Sequence, residues 1–272
     1  MQKLPISVGI LSYKAHKTID HTLTQYGDFL THFEEAKVFF QCVSEADQRI
    51  AEKHKIAWQG RPDNIGIQSG MRWVVENLNG EYILYMENDF QLLYDVKTAV
   101  REIEKALDLV RTGRADIVRL RSRFNAGEPF NDVRKYTHLF KPVAIHPDFR
   151  DFHKIQKTVP MLKYLRPGKA RRLAARALYL EKEPEKLFPK IIKKDGDFYF
   201  VDSAYLNWTN NPTIVRKDLF LKLLDYADAH PSHRTVNGMQ DLEKPLNCRW
   251  WQEQHLTIAI GDGIFIHNRL DR

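Results

Sequence analysis

The chain has 272 residues, 43% hydrophobic and 28% charged, which is length and apolar content enough for a buried core and excludes a disordered chain. Its 42 Lys and Arg against 35 Asp and Glu give a net charge of +7, which favours an anionic partner: nucleotide, phospholipid, nucleic acid or acidic glycan. No apolar run approaches the roughly 20 residues of a membrane-spanning helix, the start of the chain lacks a signal-peptide cleavage site, and the two distant cysteines, Cys42 and Cys248, form neither a disulfide framework nor a zinc pattern, so the expectation is a cytoplasmic protein with peripheral membrane contact left open.

The first hundred residues alternate strand-like and helix-like patterns. Residues 6–11 predict a buried strand and 17–33 a helix; 37–43 predict a second strand and 45–55 a second helix. Residues 56–58 suggest a short third strand, 64–77 a helix closed by Asn79-Gly80, and 81–86 a strand. Such alternation implies parallel strands with crossover helices, an α/β sandwich whose ligands gather beyond the carboxyl ends of the strands. The 81–86 strand ends there in Glu87-Asn88-Asp89, and in extended backbone the two carboxylates point the same way.

After a helix over 96–112, residues 115–123 predict a strand whose period of two sets Arg119, Arg121 and Arg123 on one face. That row is either a solvated edge or a surface facing a phosphate or acidic acceptor. Residues 125–196 break the alternation. Between Lys154 and Lys194 there are thirteen Lys or Arg and three Glu, with a basic, partly apolar helix over 170–180. This segment is expected to be an insertion, docked on the core or laid on an anionic surface, a membrane included. The last third returns to ordered patterning: strands at 197–201, 213–216, 257–260 and 264–267, and a helix from 217 to about 229. The expected organisation is a single domain over 1–272, with halves 1–124 and 197–272 around the insertion.

Hard cations such as Mg²⁺ and Mn²⁺ take oxygen ligands, and a carboxylate pair at a strand end suits a metal-bound diphosphate. Three stretches follow one another, VGILSY (8–13), QCVSEAD (41–47) and DNIGIQSGMRWVVENLNGEYILYMEND (63–89). Over residues 5–92 the chain resembles a glycosyltransferase of the GT-A fold, close to the family 2 type.

That resemblance implies a Rossmann-like α/β/α sandwich with a mostly parallel sheet, a basic helical insertion, a divalent cation (Mn²⁺ or Mg²⁺) and a nucleoside-diphosphate sugar donor. By the same resemblance Ser12 and Tyr13 would line the base and ribose pocket, and Glu45 or Asp47 would meet the base edge. Asn64 and Gly66 would begin the helix under the donor, and Glu87, Asn88 and Asp89 would form the metal motif, with Asp89 the direct ligand and Glu standing where the first Asp is usual. In NGMQDLEKPL (237–246), Asp241 would be the base of an inverting reaction and Glu243 its substitute, Gln240 replacing an acid. His267, after GIFI, would add a metal or diphosphate ligand. Trp208, Asn210 and Asn211 in NWTNNPTIV (207–215) would border an acceptor: a glycan, a lipid-linked sugar or a protein, with residues 154–194 as membrane contact. The rival readings are a polyanion-binding protein and a catalytically degenerate nucleotide-binding domain of this type. No nucleic-acid-binding motif is present.

Overall fold

The computed structural model describes residues 3–127, 131–144, 161–235 and 238–271. Lys154, Lys157 and Pro160 of the basic segment, and Asn237 of the proposed base loop, lie outside the described residues.

Ten strands form one sheet: β1 (Leu4–Tyr13), β2 (Phe33–Gln41), β3 (Ala57–Arg61), β4 (Tyr82–Glu87), β5 (Phe90–Leu92), β6 (Ile117–Arg121), β7 (Ile192–Asp195), β8 (Phe198–Asp202), β9 (Thr213–Arg216) and β10 (Thr257–His267). Their order is β3-β2-β1-β4-β9-β6-β10-β8-β7, with β5 on β10. The β3-β2-β1-β4 half is parallel throughout. β9 runs antiparallel between β4 and β6, which makes β6 and its parallel neighbour β10 codirectional with β4. The carboxyl ends of β1, β4, β6 and β10 and the start of β9 therefore share one sheet edge.

Helices cover both faces. On one, α1 (His16–Tyr26), α2 (Glu45–Lys53) and α4 (Val96–Arg111) pack Ile19, Leu23, Ala51 and Ile103 against Ile6, Val8 and Ile10 of β1. On the other, α3 (Gly66–Glu76) and α7 (Lys217–Ala229) pack Met71, Val74, Phe220 and Leu224. Helix α2 starts in a reciprocal capping box between Ser44 and Asp47, and Asp95 caps α4 through the Thr98 N–H at 2.9 Å.

Three sequence expectations are corrected. The helix expected over 17–33 stops at Tyr26, because Gly27 takes φ +53, and a short 3₁₀ turn leads directly into β2. The basic helix over 170–180 is instead α6 (Pro167–Leu173) followed by a 3₁₀ turn, Ala174–Tyr179, whose residues are all buried. Its apolar side joins the core beside Val133 and Tyr136 of α5 (Asn131–Thr137). Finally, β6 is a central strand, and Arg119, Arg121 and Arg123 are buried rather than a solvated edge. No helix among the described residues is long and apolar enough to cross a membrane.

Candidate active site

The shared sheet edge collects the chemistry. Leu11 of β1 pairs with Glu87 of β4, and the Asn88 N–H extends the ladder to the Leu11 carbonyl at 3.0 Å. The chain then turns back as β5, whose Phe90 pairs with His267 at the end of β10. This hairpin-like return drives Asp89 against the C-terminal segment: His267 Nε2 lies 3.1 Å from Asp89 Oδ2, and the Asn268 N–H donates to the Asp89 carbonyl at 2.7 Å. Asp89 is 3% exposed. Its Oδ1, the His267 Nδ1, the Ser12 hydroxyl and the Asn88 amide nitrogen are buried without hydrogen-bond partners. Such orphaned groups are costly unless a ligand or water meets them.

A second pair of carboxylates comes from Asp241, just before the short helix Glu243–Leu246, and from the first residue of that helix. Asp241 Oδ1 accepts from the Asn210 side-chain amide at 2.8 Å, and Glu243 Oε1 accepts from the Asn210 N–H at 3.0 Å. Asn211 receives the Arg121 guanidinium on its Oδ1 at 3.1 Å. Asn210 and Asn211 thus hold both carboxylates and the arginine of β6 in one neighbourhood.

The groups perturb one another. Burial first, then the charges of Asp89, Glu243 and Asp241, push the Glu87 carboxyl well above the usual range, with Arg269 opposing. Burial, and then Glu87, Asp89 and Asp241, likewise hold the proton on Tyr85, whose hydroxyl is buried without a partner. Burial pulls Arg121 down to about 10, against Asp132, Tyr179, Asp89 and Glu243. Four carboxylates therefore face a site whose cationic balance is Arg121, Arg269 and, when protonated, His267. Tyr85 was missed in the sequence although it sits on the same two-residue period as Glu87 and Asp89.

No group of three or more His, Cys, Asp or Glu among the described residues forms a closed metal cage. Asp89 and His267 do offer one oxygen and one imidazole nitrogen side by side, with Glu87 adjacent in sequence. Two protein ligands fit a Mg²⁺- or Mn²⁺-type ion whose remaining positions come from diphosphate and water.

Other expected residues fall differently. Tyr13 is 37% exposed at the rim, beyond the buried Ser12. Asn64 accepts the Gly66 N–H at 3.0 Å, and Gly66 has φ +81, with Met239 so close that an added Cβ would meet it at 2.9 Å. Asp47 Oδ2 accepts the Ser44 N–H and hydroxyl at 2.9 and 2.8 Å and closes the cap of α2, while its Oδ1 lies 3.3 Å from His16 and has no hydrogen-bond partner. Glu45 is solvent-exposed and faces Arg49. Trp208 is a correction: at 2% exposure its ring packs on Phe220 and Trp251, leaving no face for a sugar. The arginine row offers no phosphate surface, because Arg119 donates to Tyr179 and the Asn207 carbonyl, and Arg123 to the Leu178 carbonyl.

No family model and no curated protein sequence matches the chain. Among solved structures it is similar to Staphylococcus aureus TarS, with 13% identity, 98% of this chain aligned to 37% of that one and a TM-score of 0.51. It also aligns with S. aureus TarS 1–349, at 14% identity, 98% and 60% of the two chains and a TM-score of 0.49. A smaller overlap, 42% of each chain at 12% identity and a TM-score of 0.34, is found with glucosyl-3-phosphoglycerate synthase from Mycobacterium tuberculosis in complex with Mn²⁺, UDP and glucosyl-3-phosphoglycerate; an overlap of that size bears on neither fold nor ligand here. The chain spans less than two thirds of either TarS structure. The first of these alignments covers nearly the whole chain, and the fold is a mixed α/β sheet of the GT-A type.

Proposed function

We propose that the protein transfers a sugar from a nucleoside-diphosphate sugar to an acceptor hydroxyl, with inversion. The observation that carries this reading is the meeting of Glu87, Asp89, Asp241, Glu243 and His267 at one sheet edge, with orphaned polar atoms beside them. Beyond the carboxyl ends of parallel strands is where α/β sheets bind nucleotides.

Asp89 and His267 would hold the divalent cation, with Glu87 beside them. When bound, that cation supplies charge neutralisation for the departing diphosphate. Ser12 and Tyr13 would line the base and ribose pocket. Asp241, oriented by Asn210, would accept the proton of the acceptor hydroxyl as its oxygen bonds to the anomeric carbon and the bond to the diphosphate oxygen breaks on the opposite face. Glu243 is the alternative base; burial raises its carboxyl above the usual range, with the Asn210 N–H opposing.

A thermal-shift screen of nucleoside diphosphates with Mn²⁺ or EDTA, followed by product analysis with the matching sugar nucleotides, tests the reading. A Mn²⁺-dependent shift lost in Asp89→Ala, together with transfer lost in Asp241→Asn while nucleotide binding persists, is the expected outcome. No shift with any nucleotide would sink it. Binding without transfer would leave a nucleotide-binding domain that has lost its catalysis.

A further inference from the structure

The cations of the basic segment do not spread over a face. Lys169 and Arg172 of α6 and Arg176 just after it line a cavity of about 500 Å³ together with Arg134, Lys135 and His138 of the α5 region. No carboxylate lines this cavity among the described residues. One acid lies behind it: Asp132, 4% exposed, pairs with Arg176, which is 1% exposed. Arg134, Lys135, Lys169 and Arg172 have no carboxylate partner among the described residues. Arg176 Nε is buried with no hydrogen-bond partner and belongs to the cavity lining, as does Asn247, whose Oδ1 is likewise unmet. Burial, reinforced by repulsion from Arg176, already pulls the Lys135 ammonium down. Five cationic side chains around one concavity, with Asp132 ion-paired to Arg176 and Glu243 acting on Lys135 from further off, leave a positive field that an anion would relieve.

The cavity also borders the proposed acceptor side. Asn207 and Asn247 line it, and the Asn247 side chain donates to the Trp208 carbonyl at 3.0 Å. Asp132 and Lys135 both act electrostatically on Glu243. From this juxtaposition we infer that the Arg134–Lys135–Lys169–Arg172–Arg176 cavity binds a phosphate group of the acceptor, so that a phosphate-bearing acceptor is preferred over a neutral one. The acceptor role rests on the transferase reading; the anion site does not. Guanidinium groups provide forked donors for phosphate oxygens, and the lysines add point charges.

Isothermal titration with inorganic phosphate and with glycerol 3-phosphate, in EDTA and at low salt, separates the two claims. The wild type and Asp89→Ala should bind both alike. Lys169→Ala/Arg172→Ala, which alters two exposed side chains, should bind at least tenfold more weakly. No binding to the wild type, or equal binding by the double variant, overturns the site. Sedimentation with phosphatidylglycerol vesicles that neither soluble phosphate competes away would overturn a discrete phosphate site in favour of lipid headgroups. With the donor identified, phosphorylated acceptors should show a lower KM than their neutral counterparts, and the double variant should erase that preference with kcat retained. Equal KM values would overturn the acceptor role. Phosphate binding without transfer from any sugar nucleotide would defeat the transferase reading and leave the anion site standing.

Discussion

His267 meets Asp89 at 3.1 Å because a turn and a strand end far apart in the chain are paired: β5 folds Asp89 back from β4, and β10 delivers the imidazole at the same edge. Each residue also keeps a buried polar atom, Asp89 Oδ1 and His267 Nδ1, without a partner. The pair is expected to act as a unit in cation binding. Asp89→Ala and His267→Ala should each abolish the Mn²⁺-dependent thermal shift seen with the cognate nucleotide, and Asp89→Ala should lower transfer by about 100-fold or more. A variant that keeps the full Mn²⁺ response would show that the cation is held elsewhere.

Glu243 gives a pH signature. Its carboxyl is raised above 4.5 by burial, against the Asn210 N–H, and raised further by Asp241 and Asp132, with Lys135 opposing. Between 4.5 and the raised folded value, the folded protein holds more protons than the unfolded chain, so this residue costs stability as pH rises through that window and leaves the full cost above it. Glu243→Gln keeps an acceptor for the Asn210 N–H and removes the charge. The variant should melt above wild type at pH 7–8, and the two should converge well below pH 4.5. A gap that is constant with pH would contradict this.

Much of the framework was legible because it is local. The strand-helix alternation over residues 5–92 and the amphipathic α3, α4 and α7 carry their own periodicity; Glu87 and Asp89 stand out by type and spacing, while Asp241 and His267 were pointed to only by the family resemblance. What long-range pairing decides was not legible. β9 is four residues that insert antiparallel between β4 and β6, and nothing in TIVR names those neighbours. The segments over 257–260 and 264–267 are one strand with a register shift between Ile260 and Phe265. Arg119, Arg121 and Arg123 were visible as a row, but their burial depends on the Asn207 carbonyl, the Asn211 side chain and the Leu178 carbonyl arriving from distant segments. The phosphate cavity was similarly hidden, since α5 and α6 meet only in the folded chain.

Trp208 was expected to border an acceptor, and its burial predicts a different behaviour. Trp208→Ala removes a ring packed on Phe220 and Trp251 and should cost about 3–5 kcal/mol in urea unfolding. Trp208→Phe should recover much of the stability, though it loses the indole N–H donated to Asn210 Oδ1 at 3.1 Å. A KM effect without loss of stability in Trp208→Ala would return the residue to the acceptor surface.

Gly66 links the two halves of the site. It starts α3 at φ +81 under Met239, and the neighbouring Gln68 N–H donates to the Gln240 carbonyl at 3.3 Å, one residue before Asp241. Gly66→Ala should cost about 1–3 kcal/mol from the backbone alone and displace the loop carrying the proposed base, lowering kcat more than nucleotide affinity. Adding Met239→Gly, which removes the Cβ that makes the 2.9 Å contact, should relieve it and recover part of the activity, while the backbone cost remains. Full recovery of stability would mean that steric contact, not φ, was the cause.

Asp132 and Arg176 form a buried ion pair in which Asp132 Oδ2 and Arg176 Nε both lack further partners. Removing one charge from such a pair strands the other, so Asp132→Ala should cost about 3–5 kcal/mol, whereas Asp132→Leu with Arg176→Met should cost far less. The same substitution should sharpen the anion response of the cavity. With Asp132 gone, Arg176 is left to neutralise an anion alone, and phosphate should raise the melting temperature of Asp132→Ala more than that of wild type, by mass action on the folded state. In the Asp132→Leu/Arg176→Met variant that extra response should vanish. If phosphate stabilises Asp132→Ala no more than wild type, Arg176 does not reach the anion, and the site must rest on Lys169, Arg172, Arg134 and Lys135.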